Sequence, residues 1–117
     1  MGNPLPRTTL VGTLGELFSQ LQLLEFGIQS APPIKDSGND LIALKGRIVK
    51  LIQIKTKLDG KSYSQELPEV YDLVFYVDLM IDDVGKISFD KTTINVSNSV
   101  GEKMGLLTQT LADNIWT

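Results

Sequence analysis

The chain has 117 residues, of which 42% are hydrophobic and 21% charged, and it contains neither cysteine nor histidine. This composition is typical of one soluble globular domain covering residues 1–117. The two missing residue types exclude disulfides, thiol nucleophiles, zinc fingers and catalysis by histidine. Any bound metal is therefore expected to be a hard ion held by oxygen atoms, such as Mg²⁺, Mn²⁺ or Ca²⁺.

The sequence shows no pattern typical of a membrane-spanning segment or a signal peptide. It has no run of about 18 apolar residues, and its first residues lack the pattern of a signal peptide. We therefore expect a cytoplasmic protein with no membrane partner.

Charge is segregated along the chain, although the net charge is only −3. Residues 35–61 carry seven basic and three acidic side chains, whereas residues 62–117 carry three basic and nine acidic ones. A local basic strip can bind phosphate in an acidic protein, because salt screens the repulsion from distant charges. The alternative is a solvated hairpin with lysines on its rim.

The first half of the chain predicts a helix and a hairpin. Apolar residues recur at helical spacing from about Thr9 to Phe26, with Gly27 just past the end. Residues 29–39 contain two prolines and several turn-forming residues, so we expect an irregular connection there. Residues 40–44 and 47–56 then predict two strands joined by a tight turn at Lys45 and Gly46.

The second half predicts more strands and a closing helix. Residues 58–69 are expected to form a loop with one helical turn near Pro68, and residues 70–81 a strand buried on both faces. Residues 86–90 and the short run 92–96 follow, and a final helix is expected from about Gly101 to Ile115. The predicted fold class is α/β or α+β, with one mixed sheet flanked by helices.

Three polar residues of the hairpin are predicted to share one face. With the turn at Lys45 and Gly46, Asp40 lies opposite Leu51, and Gln53 and Lys55 project from the same side. Polar groups on a partly buried surface are costly unless they satisfy one another or bind a ligand. This cost favours a binding site.

The chemistry of these residues suits a magnesium ion. The Asp40 carboxylate and the Gln53 amide oxygen are hard ligands for Mg²⁺, and Glu16 of the first helix can supply a second carboxylate. Lys55 can place its ammonium on a water or a phosphate oxygen. A metal held here would activate a water for attack on a phosphodiester.

The order of these residues resembles the PD-(D/E)XK nuclease superfamily. The resemblance rests on Gly15-Glu16 in the first helix, Asn39–Ile42 before the hairpin and Ile52–Lys57 after it, and it covers about residues 10–81. Within the superfamily the chain is most similar to small single-domain endonucleases, including homing endonucleases and Holliday-junction-resolvase-like proteins.

The resemblance implies a restriction-endonuclease-like fold and a DNA endonuclease that depends on Mg²⁺ or Mn²⁺. It implies that Glu16, Asp40 and Gln53 bind the metal, that Lys55 is the motif lysine, and that DNA is cut by a homodimer or higher homo-oligomer. Two residues depart from the motif: Asn39 stands at the usual proline, and Gln53 at the usual acid. A neutral ligand at residue 53 weakens metal binding, so the alternative is a catalytically inactive module of the same fold that binds DNA or a protein.

Lysines near the proposed site are candidates for binding the DNA backbone. Lys57 and Lys61 follow the motif directly, and Lys35 precedes the hairpin in the same basic segment. The alternative for each is a solvated loop lysine.

Overall fold

A computed structural model describes residues 7–33, 40–64 and 66–117. Within them, two helices and six strands follow one another along the chain: α1 (Arg7–Glu25), β1 (Gln29–Ala31), β2 (Leu41–Lys45), β3 (Ile48–Leu58), β4 (Leu73–Ile81), β5 (Ile87–Asn98), β6 (Lys103–Leu106) and α2 (Gln109–Ile115). No helix among these residues combines the length and hydropathy needed to cross a bilayer.

The strands form one sheet in chain order, β1-β2-β3-β4-β5-β6. Strands β3 and β4 are parallel, and every other neighbouring pair is antiparallel. The expected fold class, α+β with a mixed sheet and helices, is confirmed.

The core lies between one face of the sheet and both helices. Phe18 and Leu23 of α1 and Ala112 of α2 are buried in a single cluster with alternate residues of the four central strands. Trp116, just after α2, donates from its indole nitrogen to the Ala43 carbonyl at 3.3 Å. Burying this many apolar side chains together is the main stabilising contribution to the fold.

The predicted first helix is present, two residues longer at its start and one shorter at its end. Gly27 follows it with φ 83°, a conformation that suits glycine at a helix C-terminus, and the Ile28 N–H donates back to the Leu23 carbonyl at 2.8 Å.

The predicted hairpin is present, but the turn assigned to Lys45 and Gly46 is wrong by one residue. Lys45 pairs with Ile48, so Gly46 and Arg47 form the turn. Gly46 has φ 62°, and a two-residue hairpin loop with only its first residue at positive φ needs glycine there. The register moves by two residues, which preserves the faces. Continuing it one pair beyond Leu41 and Ile52 places Asp40 opposite Gln53 rather than Leu51.

Two strands occur where the sequence predicted other structure, one in the irregular connection and one in the final helix. Gln29–Ala31 forms β1, because it pairs with β2 before the prolines interrupt it. The predicted helix from Gly101 is wrong in its first half: Gly101 and Gly105 adopt φ 83° and 94°, which a helix does not permit, and Lys103–Leu106 forms β6. Helix α2 begins only after Thr108, whose hydroxyl accepts from the Leu111 N–H at 3.2 Å.

The middle of the chain also differs in detail from the prediction. Residues 87–96 lie in the single strand β5, whose pairing with β4 is irregular between Asp78 and Met80. The described part of residues 59–72 contains no helical turn near Pro68. Strand β4 is buried on both faces only in its first half, where Val74 and Phe75 are inaccessible.

Helix α1 approaches β3 closely at Gly15. A Cβ atom built on Gly15 would lie 2.7 Å from Cβ and Cγ2 of Thr56, closer than real contacts allow, whereas one on Gly12 would meet nothing within 4 Å. The side chain of Thr56 therefore occupies the space that any residue larger than glycine would need.

We expect Gly15→Ala to destabilise the fold by about 1–3 kcal/mol, because helix and strand must separate. Gly12→Ala, three residues earlier in α1, is the matched control and should stabilise by about 0.5–1 kcal/mol through helix propensity. Urea unfolding followed by circular dichroism measures both. Equal shifts for the two variants would contradict the close approach.

Candidate functional site

The candidate site lies where β3 continues past the end of β2. Strand β2 pairs with β3 only up to Leu41 and Ile52, and β3 runs on to Leu58 with β4 alone as its ladder partner among the described strands. Helix α1 lies beside the exposed edge, and the groove between them has a volume of about 600 Å³. Glu16, Ile54 and Thr56 line this groove, which we call the edge groove.

Asp40 joins the end of β2 to this edge. Its N–H donates to the Ile52 carbonyl at 3.0 Å, and its Oδ2 accepts from the Ile54 N–H at 2.7 Å. The carboxylate thus occupies the position that another residue of β2 would take in a longer ladder. A charged acceptor makes this a strong hydrogen bond, and it fixes the carboxylate at the edge of the sheet.

Glu16 brings a second carboxylate to the edge groove from α1. Burial raises the pKa of Glu16 above its ordinary value of 4.5, and the negative charge of Asp40 raises it further. The two acids, 24 residues apart in the sequence, are therefore close enough to repel each other when both are ionised.

Gln53 has a buried side-chain oxygen. It precedes Ile54 on β3 and lies opposite Val74 of β4. Its Oε1 is buried and has no hydrogen-bond partner among the described residues. An unsatisfied buried carbonyl costs about 1–3 kcal/mol, so a compensating ligand would stabilise it.

Lys55 lies two residues further along β3, on the same face as Gln53, and pairs in register with Tyr76 of β4. Its side chain is half-buried, and no ion pair to it occurs among the residues that the structure describes. Gln53 and Lys55 thus project from the face of β3 opposite to that of Ile54, whereas Glu16 and Asp40 approach each other at the edge of the strand.

The three lysines proposed for nucleic acid differ in their surroundings. The Lys57 ammonium lies 3.9 Å from Oδ2 of Asp78 and 4.8 Å from the centre of the Tyr63 ring. Lys61 is exposed and lines the edge groove. Lys35 lies outside the described residues.

Tyr63 was missed by sequence reasoning, since an isolated tyrosine in a predicted loop carries no signal of its partners. Its ring packs edge-on against Tyr76, with centroids 5.1 Å apart. Burial, followed by the charges of Asp78 and Tyr76, raises the pKa of Tyr63 to about 12. The phenol therefore stays neutral, and its ring lies beside the Lys57 ammonium.

Arg7 was also missed. It is the first residue of α1 and lines the edge groove together with Lys57 and Lys61, so this groove combines a cationic rim with the acidic Glu16. Within the described part of the chain, no three acidic side chains come close enough to hold a metal by themselves.

Comparison with known proteins gives a similarity of fold. No protein-family model and no curated protein matches the chain. Among solved structures, the chain shares its architecture with a bacterial homing endonuclease. That structure, of I-Ssp6803I, aligns with a TM-score of 0.54 and 19% sequence identity, over 92% of this chain and 78% of the other.

We expect Glu16→Gln to raise the melting temperature at pH 7 by roughly 2–5 °C, because it removes a carboxylate whose ionisation is disfavoured in the folded state. The raised pKa means that stability is lost as pH rises from 4.5 through the folded-state value. The advantage of the variant should therefore disappear below pH 4.5, where both the folded and unfolded wild type hold the proton.

Glu69→Gln is the matched control for that measurement. Glu69 lies exposed in the loop before β4, so its replacement should leave the melting temperature unchanged at every pH. A Glu16→Gln benefit that persisted at pH 3 would show that charge is not its cause.

Proposed function

We propose that the protein is a metal-dependent DNA endonuclease of the PD-(D/E)XK type. The observation that carries this proposal is the approach of two carboxylates, Glu16 and Asp40, which repel each other at the open edge of β3. Gln53, the next residue of β3 after the end of the β2 ladder, adds a buried Oε1 that lacks a partner among the described residues. A divalent cation bound between the carboxylates would offset their repulsion, and Gln53 is proposed as its third ligand.

The donor set fits Mg²⁺ or Mn²⁺. The oxygens of Glu16, Asp40 and Gln53 are hard ligands, and waters would complete the octahedron that these ions prefer. With only two carboxylates the site carries one negative charge less than a site with three. Bound there, the metal would lower the pKa of a water and offset the charge that develops on a phosphodiester.

Lys55 is proposed as the residue that completes the chemistry. From the face of β3 that carries Gln53, its ammonium can donate to the attacking water or to a phosphate oxygen. Asp40 is proposed as a second metal ligand, and the hydrogen bond that it accepts from the Ile54 N–H holds its carboxylate in position.

DNA is the proposed substrate. The fold is shared with a solved bacterial homing endonuclease, and Arg7, Lys57 and Lys61 give the edge groove a cationic rim suited to backbone phosphates. Lys35 is proposed for the same role. A domain of this size has little room for a separate recognition module, so we propose that a homodimer or higher homo-oligomer shares the recognition of DNA.

Gln53 favours a second candidate function. A neutral amide at this position lowers the attraction for a cation, and a module that binds DNA without cutting it would tolerate this loss. The endonuclease requires a bound metal and Lys55 for its activity, whereas the inactive module requires neither for binding DNA. Two measurements separate these functions.

We expect Asp40→Asn and Lys55→Ala each to lower cleavage of supercoiled DNA in Mg²⁺ or Mn²⁺ by about 10²-fold or more. Asparagine keeps an oxygen to accept from Ile54 and removes only the charge, so the fold should survive. Lys86→Ala, at an exposed turn, is the control for loss of a positive charge. Wild-type cleavage that resists EDTA would contradict the metal mechanism, and DNA binding without cleavage would favour the inactive module.

We expect 10 mM Mg²⁺ to raise the melting temperature of the wild type, because a ligand of millimolar affinity stabilises the folded state by about 1 kcal/mol. Asp40→Asn should abolish this shift, and Gln53→Glu should enlarge it by adding a charged ligand. An equal shift in all three proteins would place the metal elsewhere. Differential scanning fluorimetry with 30 mM NaCl in place of MgCl₂ controls for ionic strength at about the same value.

A further inference from the structure

Helix α1 has two opposite apolar faces, and only one of them packs on the sheet. Phe18, Ser19 and Leu23 are buried against the core. On the other side, four leucines remain accessible: Leu10 at 39%, Leu17 at 52%, Leu21 at 65% and Leu24 at 65%. A helix at the surface of a domain needs only one apolar stripe, so the second calls for a partner.

These four residues form a straight ridge along the helix. Together with the half-buried Leu14, they recur at intervals of four and three residues, the spacing of a helix that packs lengthwise on another helix. We call Leu10, Leu17, Leu21 and Leu24 the leucine ridge.

A groove runs on each side of the leucine ridge. One, with a volume of about 630 Å³, lies between α1 and β1 and is bordered by Gln29 and Ser30. The other, of about 670 Å³, lies between α1 and β5 and is bordered by Phe89, which stacks on Phe18 with centroids 6.0 Å apart. Because ridge and grooves lie side by side on one surface, a second copy can insert its ridge into a groove and receive the first copy's ridge in return.

The charges of α1 select an antiparallel pair of copies. The helix carries Arg7 at its first position and Glu25 at its last, both exposed. The two positions are eighteen residues apart, which amounts to about five full turns, so both side chains lie on the same side of the ridge. A two-fold axis near Leu17 brings Leu24 of one copy to Leu10 of the other, and Arg7 of each copy to Glu25 of the other. A parallel pair would lack this match.

We propose that two copies of the chain associate through the leucine ridge of α1, antiparallel about a two-fold axis near Leu17. This interface lies on the side of α1 away from the core and does not depend on catalysis. It gives the homo-oligomer a defined surface, and Arg7 connects it with the edge groove.

The test is the oligomeric state of the purified chain by sedimentation velocity from about 1 to 200 µM. We expect the wild type to dimerise, and Leu21→Glu to raise the dimer dissociation constant by at least ~30-fold, since it buries an unpaired charge. Val100→Glu is the control, because Val100 is 75% exposed and lies in the turn after β5, away from α1. A wild type that stays monomeric throughout the range overturns the proposal and leaves the ridge to a different protein.

Charge exchange tests the antiparallel arrangement. Arg7→Glu and Glu25→Arg should each weaken the dimer by about 3-fold or more, and the double variant should restore it. A double variant weaker than either single one overturns the antiparallel pairing.

A disulfide test is direct because the chain has no cysteine. Leu17→Cys should give a covalent dimer on mild oxidation, whereas Val100→Cys should not. If Val100→Cys cross-links as readily as Leu17→Cys, the contact is random collision and the proposal fails. Circular dichroism melts confirm that each variant is folded.

Discussion

The hydrogen bond from the Ile54 N–H to the Asp40 carboxylate lies at the point where β2 ends and β3 continues without it. Before it, β3 pairs with β2; beyond it, β3 pairs with β4 on its other edge, and α1 comes alongside the edge that β2 has left. Because a side chain takes the next ladder position, the Ile54 N–H is satisfied where β2 ends. The close approach of α1 at Gly15 then brings Glu16 toward the same edge. Glu16 and Asp40 therefore approach each other where β2 ends.

The site also carries costs that a purely structural arrangement would avoid. A half-buried acid lies near another acid, and an amide oxygen is buried without a partner among the described residues. In the proposed metal site, a glutamine in place of a third acid would add less repulsion to the free protein and would also attract a cation less strongly.

Much of the fold could be predicted from local pattern. The periodicity of α1, the alternation along β2 and β3, and the apolar run of β4 each reflect an element that is long enough to show its period. The short strands β1 and β6 could not be predicted, because their pairing partners lie elsewhere in the chain and their own residues carry little signal. The hairpin turn was misplaced by one residue because glycine can occupy either central position of a tight turn.

The candidate site could be predicted in part, because successive side chains of a strand alternate between the two faces of the sheet. A register error of two residues leaves each side chain on its face, so Asp40 stays on the face predicted for it with Gln53 and Lys55 despite the misplaced turn. The approach of Glu16 to Asp40 depends on how α1 packs, which no spacing reveals. Asp72 illustrates the ambiguity: its Oδ2 accepts from the Leu51 N–H at 2.7 Å on the opposite edge of β3, much as Asp40 does at Ile54. Asp40 differs from Asp72 because Glu16 and the edge groove lie beside Asp40.

The indole of Trp116 gives this protein a built-in optical reporter. The chain has a single tryptophan, and it is 3% exposed, with its nitrogen bonded to the carbonyl of Ala43 on β2. Emission from the folded chain therefore originates at one junction, between the segment after α2 and the strand that leads to Asp40. Any event that shifts β2 changes the polarity around the indole and hence the wavelength of its fluorescence, without a label being attached.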